Sequence, residues 1–296
     1  MLLKTRNDVL CLIGLAFCLS CNPPARGDER TLYNKKSEFN QIIVRESDDG
    51  IRSLLFDENG AVQTAIDMRD PARLVHNYAR TIMSALAVIP QPKRILIIGL
   101  GGGAMPMFLR RNCPEANIDL AELDPAVFEV AVRFFDFRED PKMKVHLGDG
   151  RKFIQTTRNR YDIIFLDAYG DDSIPYMLAT KEFMEEVKQK LSEGGIVVSN
   201  VWGSGSNRLY ASMVRTYQAV FPELHIIRAP MSENRIHIAF PRKAGLTEEK
   251  LIEQASHIET KLKPPLQLST IIKAGYTEPE SVSDGKVLLD KDAPPD

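Results

Sequence analysis

Apolar residues recur along this chain in changing rhythms, and each rhythm marks a different stretch. Between residues 39 and 92 they fall in short runs, over 40–44, 51–56 and 61–66. The breaks are Asp48-Asp49-Gly50 and Asp57-Glu58-Asn59-Gly60, turn sequences that predict antiparallel hairpins. A helix is expected from Pro71 to about Leu86, with Leu74, Tyr78, Ile82 and Leu86 on one face. From Arg94 the rhythm changes. Apolar runs over 95–98, 118–121, 145–147, 163–166 and 196–199 alternate with helical patterns over 105–112, 126–135, 151–156, 180–191 and 207–221. Such alternation specifies a parallel sheet covered by helices on both faces.

The end of this stretch narrows the class. Two runs, 225–228 and 235–240, are separated only by residues 229–234. A connection that short cannot make a parallel crossover, so the pair is antiparallel. The expected fold is therefore α/β and Rossmann-like, of the S-adenosylmethionine-dependent methyltransferase type. It has a mostly parallel seven-stranded sheet ending in an antiparallel hairpin, behind a small N-terminal β-hairpin domain. The chain divides into a leader at 1–21, a linker at 22–38, the β-hairpin domain plus helix at 39–92, the nucleotide-binding domain at 93–242, and a C-terminal helix and tail at 243–296. Residues 247–261 predict an amphipathic helix, and the polar, acidic tail from Tyr276 is expected to be disordered.

Composition adds limits. The 296 residues are 44% hydrophobic with a net charge of −2, enough for one substantial core and a small accessory domain. No basic run stands out, so nucleic acid is not an expected partner. Three of the four cysteines, Cys11, Cys18 and Cys21, fall in the leader, and Cys113 stands alone, so no disulfide framework is expected. Lys4 and Arg6 precede an apolar run over 9–19 and then Ser20-Cys21, which reads as a signal or lipoprotein-like segment. That predicts a cell-envelope location with membrane anchoring through the N-terminus; a cytoplasmic location is the alternative.

The strongest chemical signal is Ile98-Gly99-Leu100-Gly101-Gly102-Gly103-Ala104, directly after the first parallel strand. Glycines let the chain turn sharply and bring backbone N–H groups to a ligand at a helix N-terminus. Gly99, Gly101 and Gly103 are accordingly assigned to the ligand. Glu122 ends the next strand, 23 residues after Gly99, where a carboxylate can accept both ribose hydroxyls. Asp124, followed by Pro125, reads as a helix N-cap. Asp149, in Gly148-Asp149-Gly150, ends the third strand, where it serves either an adenine amino group or the cap of the following helix; Gly150 goes with it. Asp167 ends the fully apolar fourth strand at the position that faces the reacting end of a ligand, and Tyr169, Asp171 and Asp172 follow in a loop over the pocket. No metal site is expected.

Taken together these residues resemble the spermidine synthases, the polyamine aminopropyltransferases. Gln41, the hairpins, Gln63, the 99–103 loop, Glu122, Gly148-Asp149-Gly150 and Asp167 come in that family's order. Asp167-Ala168-Tyr169, Ile174-Pro175, Thr180-Lys181-Glu182-Phe183 and the ending Val287-Leu288…Ala293-Pro294 look like its bacterial spermidine synthase-like branch. The resemblance covers roughly residues 38–296. It implies transfer of an aminopropyl group from decarboxylated S-adenosylmethionine to a polyamine, with Asp167 as base. It also implies a homodimer, and an amine channel lined by Gln41, Gln63, His76, Tyr169, Asp171, Asp172 and Trp202. Three departures are visible: Gly102 and Gly170 stand where the family carries carboxylates, and Asn77 stands where a Glu follows the His. The other readings are a methyltransferase using S-adenosylmethionine itself and a non-catalytic adenosyl-ligand-binding protein of the envelope. A nicotinamide-dependent oxidoreductase is disfavoured by the terminal hairpin.

Overall fold

The computed structural model describes residues 29–168, 174–279 and 284–294. The leader, the first part of the expected linker, and Tyr169, Gly170, Asp171 and Asp172 lie outside the described residues.

Strands β1 (Glu29–Lys36), β2 (Gln41–Ser47), β3 (Ile51–Leu55) and β4 (Val62–Asp67) form an antiparallel sheet in that order. β1 occupies residues expected to be linker. It is an edge strand, mostly exposed and rich in charged and polar residues, so its pairing with Ile42, Ile43 and Val44 leaves no apolar alternation of its own. The helix expected from Pro71 begins only at Asn77, as α1 (Asn77–Ile82), followed by α2 (Ala85–Val88). Before it, Leu74 bridges to Ile66, and Asp67 accepts from the Arg69 backbone N–H (3.0 Å) and the Arg73 guanidinium (2.8 Å), which keeps that stretch turned.

The larger unit runs β5 (Arg94–Ile98), α3 (Ala104–Asn112), β6 (Asn117–Glu122), α4 (Pro125–Phe134), β7 (Met143–Leu147), α5 (Gly150–Thr156), β8 (Tyr161–Leu166), α6 (Lys181–Gln189), β9 (Leu191–Trp202), α7 (Tyr210–Val220), β10 (Glu223–Arg228), β11 (Asn234–Phe240), α8 (Glu248–Ile258), α9 (Leu268–Gly275) and β12 (Tyr276–Thr277). Sheet order is β12-β10-β11-β9-β8-β5-β6-β7. The five strands β9-β8-β5-β6-β7 are parallel, and β11, β10 and β12 complete the sheet antiparallel. The sheet thus has eight strands rather than the expected seven. The extra one, β12, falls in the tail expected to be disordered, where Tyr276 and Thr277 pair with Ile227 and Ile226.

Alternation along β5 sorts the core. Ile95 and Ile97 face one cluster with α3, α8 and α9; Leu96 and Ile98 face another with α6 and α7. Successive strands are added outward from β5 in opposite directions, to β6 and β7 on one side and to β8 and β9 on the other. The chain therefore parts between the tips of β5 and β8, which opens a crevice at the carboxyl ends of the strands.

The small sheet is fastened beside that crevice. Ile42, Val44, Leu54 and Phe56 pack against Val127, Val130 and Phe135 of the α4 region. Asp124 caps α4 by accepting from Ala126 N–H (2.9 Å), and its other oxygen accepts from Ser37 and Asn40 in the β1–β2 turn. Removing this shared carboxylate, Asp124→Ala, is expected to lower stability by about 1–2 kcal/mol. Urea unfolding monitored by circular dichroism measures it, and an unchanged midpoint would mean that the tie carries no energy.

Candidate active site

Three strand tips meet at the crevice, and glycine permits the closest approach. Gly99 has φ +99°, and a Cβ there would collide with the backbone carbonyl of Asp167. Without one, the β5 and β8 tips touch, with Asp167 N–H donating to Ile98 O at 2.9 Å. Glu122, buried at the tip of β6, reaches back across: its Oε2 accepts from Leu100 N–H and its Oε1 from Asp124 N–H, each at 2.9 Å. It therefore orders both the glycine loop and the next turn, and each oxygen keeps a lone pair for a ligand hydroxyl. Burial raises its pKa, opposed by those two backbone donors. Asp149 caps α5, accepting from Lys152 N–H at 2.7 Å, at the exposed rim of the same space.

These tips open into a cavity of about 1240 Å³. Gly99, Gly101, Glu122, Asp149, Gly150 and Asp167 line its strand-tip wall. Gln63, His76 and Trp202 line it from other elements. Two expected ligand residues do not. Gln41 lies outside the lining, and its amide donates to Asn34 across the β1–β2 pair, while its neighbour Asn40 reaches the cavity instead. Gly103 also lies outside; it starts α3 at φ +82° with Phe137 against its Cα, so it shapes the turn rather than the pocket wall.

Asp167 sits at the bottom of the arrangement, partly exposed to the cavity. Loss of hydration raises its pKa to about 7, and a hydrogen bond from Asn200 Nδ2 (2.9 Å) opposes the rise. Asn200 in turn accepts from Asn234 Nδ2 at 2.8 Å, and Asn234 accepts from the Ser232 hydroxyl. A file of neutral side chains thus orients the carboxylate from the β10–β11 hairpin. Tyr78 lies on the other side, its hydroxyl donating to Gln63 O (3.2 Å); burial raises its pKa, and the charge of Asp167 adds to the rise. His76 stacks on Tyr78 with ring centroids 5.5 Å apart, and burial and then Arg80 lower its pKa, so it is neutral near pH 7.

Thr64, Tyr78, Asn200 and Asn234 also line the cavity, beyond the residues expected from the sequence. A signal existed for Asn200, which with Ser199 interrupts the apolar stretch from Ile196 to Val201. Thr64 matters for what it prevents. Its Oγ1 accepts from Gly102 N–H at 2.9 Å, and a Cβ at Gly102 would lie 2.9 Å from Thr64 Cγ2 and 3.1 Å from the Phe135 ring. That position is closed to a side chain unless its neighbours move.

The spermine/spermidine synthase domain family matches residues 75–228. A polyamine aminopropyltransferase of Vibrio vulnificus is 34% identical over 266 residues, covering 87% of this chain and 87% of that protein. The chain belongs to the spermine/spermidine synthase family. Among solved structures, human methyltransferase-like protein 13 in complex with SAH aligns with a TM-score of 0.58 at 28% identity, over 64% of this chain and 93% of that one. A probable spermidine synthase from Corynebacterium glutamicum aligns with a TM-score of 0.67 at 20% identity, over 87% and 96%, a likeness of fold alone. These neighbours share the α/β architecture seen here, a mostly parallel central sheet behind an N-terminal antiparallel hairpin sheet.

Asp167 has a stability consequence. A carboxyl whose folded pKa lies above its unfolded one contributes stability that is present below about pH 4 and is lost as pH rises to about 7. Asp167→Asn removes that titration. Relative to wild type, the variant is expected to gain on the order of 2 kcal/mol between pH 4 and pH 7. Paired urea melts at the two pH values measure the difference, and parallel wild-type and variant curves would contradict the dehydrated site.

Proposed function

We propose that the protein transfers an aminopropyl group from decarboxylated S-adenosylmethionine to an amine of the polyamine class, with Asp167 as general base. The observation that carries this is the Asp167 carboxyl itself: dehydrated, oriented by a neutral amide, and set beside tips whose carboxylates suit ribose and adenine. A polyamine is protonated at neutral pH and cannot attack until it loses a proton. The ionised Asp167 accepts that proton; the freed nitrogen lone pair attacks the carbon beside the sulfonium. The carbon–sulfur bond breaks with its electrons passing to sulfur, and methylthioadenosine leaves as a neutral thioether. Glu122 binds the ribose hydroxyls and Asp149 the adenine edge. Holding amine and electrophilic carbon together supplies much of the remaining rate.

A second reading, methyl transfer from S-adenosylmethionine, draws on the closed position at Gly102. The family resemblance puts the carboxylate that holds the donor's propylamine end there, and Thr64 and Phe135 leave it no room. Calorimetric titration with both forms of the donor separates the readings: preference for the decarboxylated form is expected, and preference for the carboxylated form would favour methyl transfer.

Methylthioadenosine release with a panel of amines tests the reaction, and Asp167→Asn is expected to reduce kcat by roughly 10²–10⁴ while nucleoside binding persists. Normal turnover by that variant would exclude the base. Because the base acts ionised, kcat/KM is expected to rise with pH through about 7. The hydrogen bond from Asn200 favours the ionised form, so Asn200→Ala should move this rise to higher pH by roughly half to one unit. A rise at unchanged or lower pH would contradict the assigned role of Asn200.

A further inference from the structure

The C-terminal ending singled out in the sequence has no part in the chemistry above, yet residues 284–294 do not hang free. They cross α7, where Lys286 N–H donates to Ser212 Oγ (3.1 Å) and Leu288 N–H to Thr216 Oγ1 (2.9 Å). Gly285 lies so close to Ala211 that a Cβ would collide with its carbonyl. At the start of α6, Lys181 N–H donates to Leu288 O (2.8 Å) and Asp290 N–H to Glu182 Oε2 (3.1 Å). The Leu288 side chain is buried in the core cluster shared by α6 and α7.

The segment then meets the pocket. Arg151 follows Asp149-Gly150 in the first turn of α5 and is held by two forks. Its Nε and Nη2 donate to Glu186 at 3.0 and 2.9 Å, and its Nη1 and Nη2 donate to Asp290 at 2.8 and 2.7 Å. Arg151, Glu186 and Asp290 all line the cavity, and Arg151 directly follows the Asp149-Gly150 turn. Planar forks of this kind fix direction as well as distance, and the guanidinium side chain is otherwise long and flexible. With both faces of its fork engaged, Arg151 cannot swing into the cavity, and the turn that carries Asp149 and Gly150 is anchored to the last residues of the chain.

We infer that Asp290 is a positioning residue for the donor nucleoside: through Arg151 it fixes the Asp149-Gly150 turn, so that the C-terminal segment completes the adenine wall of the pocket. This rests on the reading of that wall as the nucleoside site. The inference separates two kinds of residue in one cavity. The Asn200–Asn234 file serves the base and the acceptor side, whereas the Arg151–Asp290 fork serves the donor alone.

The experiment uses the full chain and methylthioadenosine as the probe. Asp290→Ala is expected to weaken its calorimetric Kd by roughly tenfold, the loss of a charge-assisted bond or two from the wall. Asp290→Glu, which can still form the fork, should recover most of it. Arg151→Lys, which keeps the charge and loses the fork, should resemble Asp290→Ala. In steady-state kinetics the donor KM should rise with the amine KM and kcat unchanged, a split that general loosening of the fold would not give. Wild-type binding with an unchanged Kd in Asp290→Ala, or a rise of both KM values together, would overturn the positioning role alone. Wild-type protein that does not bind methylthioadenosine would overturn the nucleoside reading, and this inference with it.

Discussion

A carboxylate kept in a dehydrated crevice between two parting strands is the constraint on which the site depends. An isolated ionised carboxylate is costly to withdraw from water, and a protein answers either by pairing it or by letting it take up a proton. At Asp167 pairing is minimal: one neutral amide donates to it, and no cation does so among the described contacts. Other carboxylates that line the cavity are differently placed. Glu122 accepts from two backbone N–H groups, Asp149 from one, and Glu186 and Asp290 share Arg151. Only by leaving Asp167 under-compensated does the fold hold a carboxyl whose proton moves near neutral pH.

The backbone makes that possible before any side chain does. Parallel strands laid outward from β5 in two directions force a parting at β5 and β8, and the lack of a side chain at Gly99 lets the two tips come into contact. The tips therefore point one way into one space. The antiparallel end of the sheet adds what a wholly parallel one would lack. In the β9–β11 register Ile236 pairs with Asn200 and Asn234 with Trp202, so an asparagine from the terminal hairpin lies diagonally over Asn200 and steers it.

Much of this was legible in the sequence, for a physical reason. Strands covered on both faces must be apolar at successive positions, so β5, β6, β8 and β9 announce themselves, and the residue after each apolar run is the tip that meets a ligand. Gly99, Glu122 and Asp167, which line the cavity, each follow such a run. What escaped reading lacks that local signature. β1 is an exposed edge whose stability comes from its partner. The tie from Asp290 to Arg151, 139 positions earlier in the chain, leaves no local signature. Gln41 stands one position off: the order of motifs places it near the pocket, but its neighbour Asn40 is the one that reaches the cavity. Tyr78 was visible only as part of an apolar helical stripe.

The electrostatics of Asp167 also bear on which ligand the cavity suits. Gln63, the Tyr78 hydroxyl with its raised pKa and His76 with its lowered one line the same cavity uncharged. Any bound cation near the carboxylate supplies the missing counter-charge, lowers the pKa of Asp167 and favours its ionised form. Binding a cation and ionising Asp167 are then one linked equilibrium, and the cost of the dehydrated carboxylate is offset in the complex rather than in the free protein. An anionic group at the same point would do the reverse: it would raise the pKa further and hold the proton on Asp167. A neutral acceptor gains nothing from the arrangement. The surroundings of Asp167 are thus biased by charge toward a cationic ligand, and this bias does not depend on the position closed at Gly102.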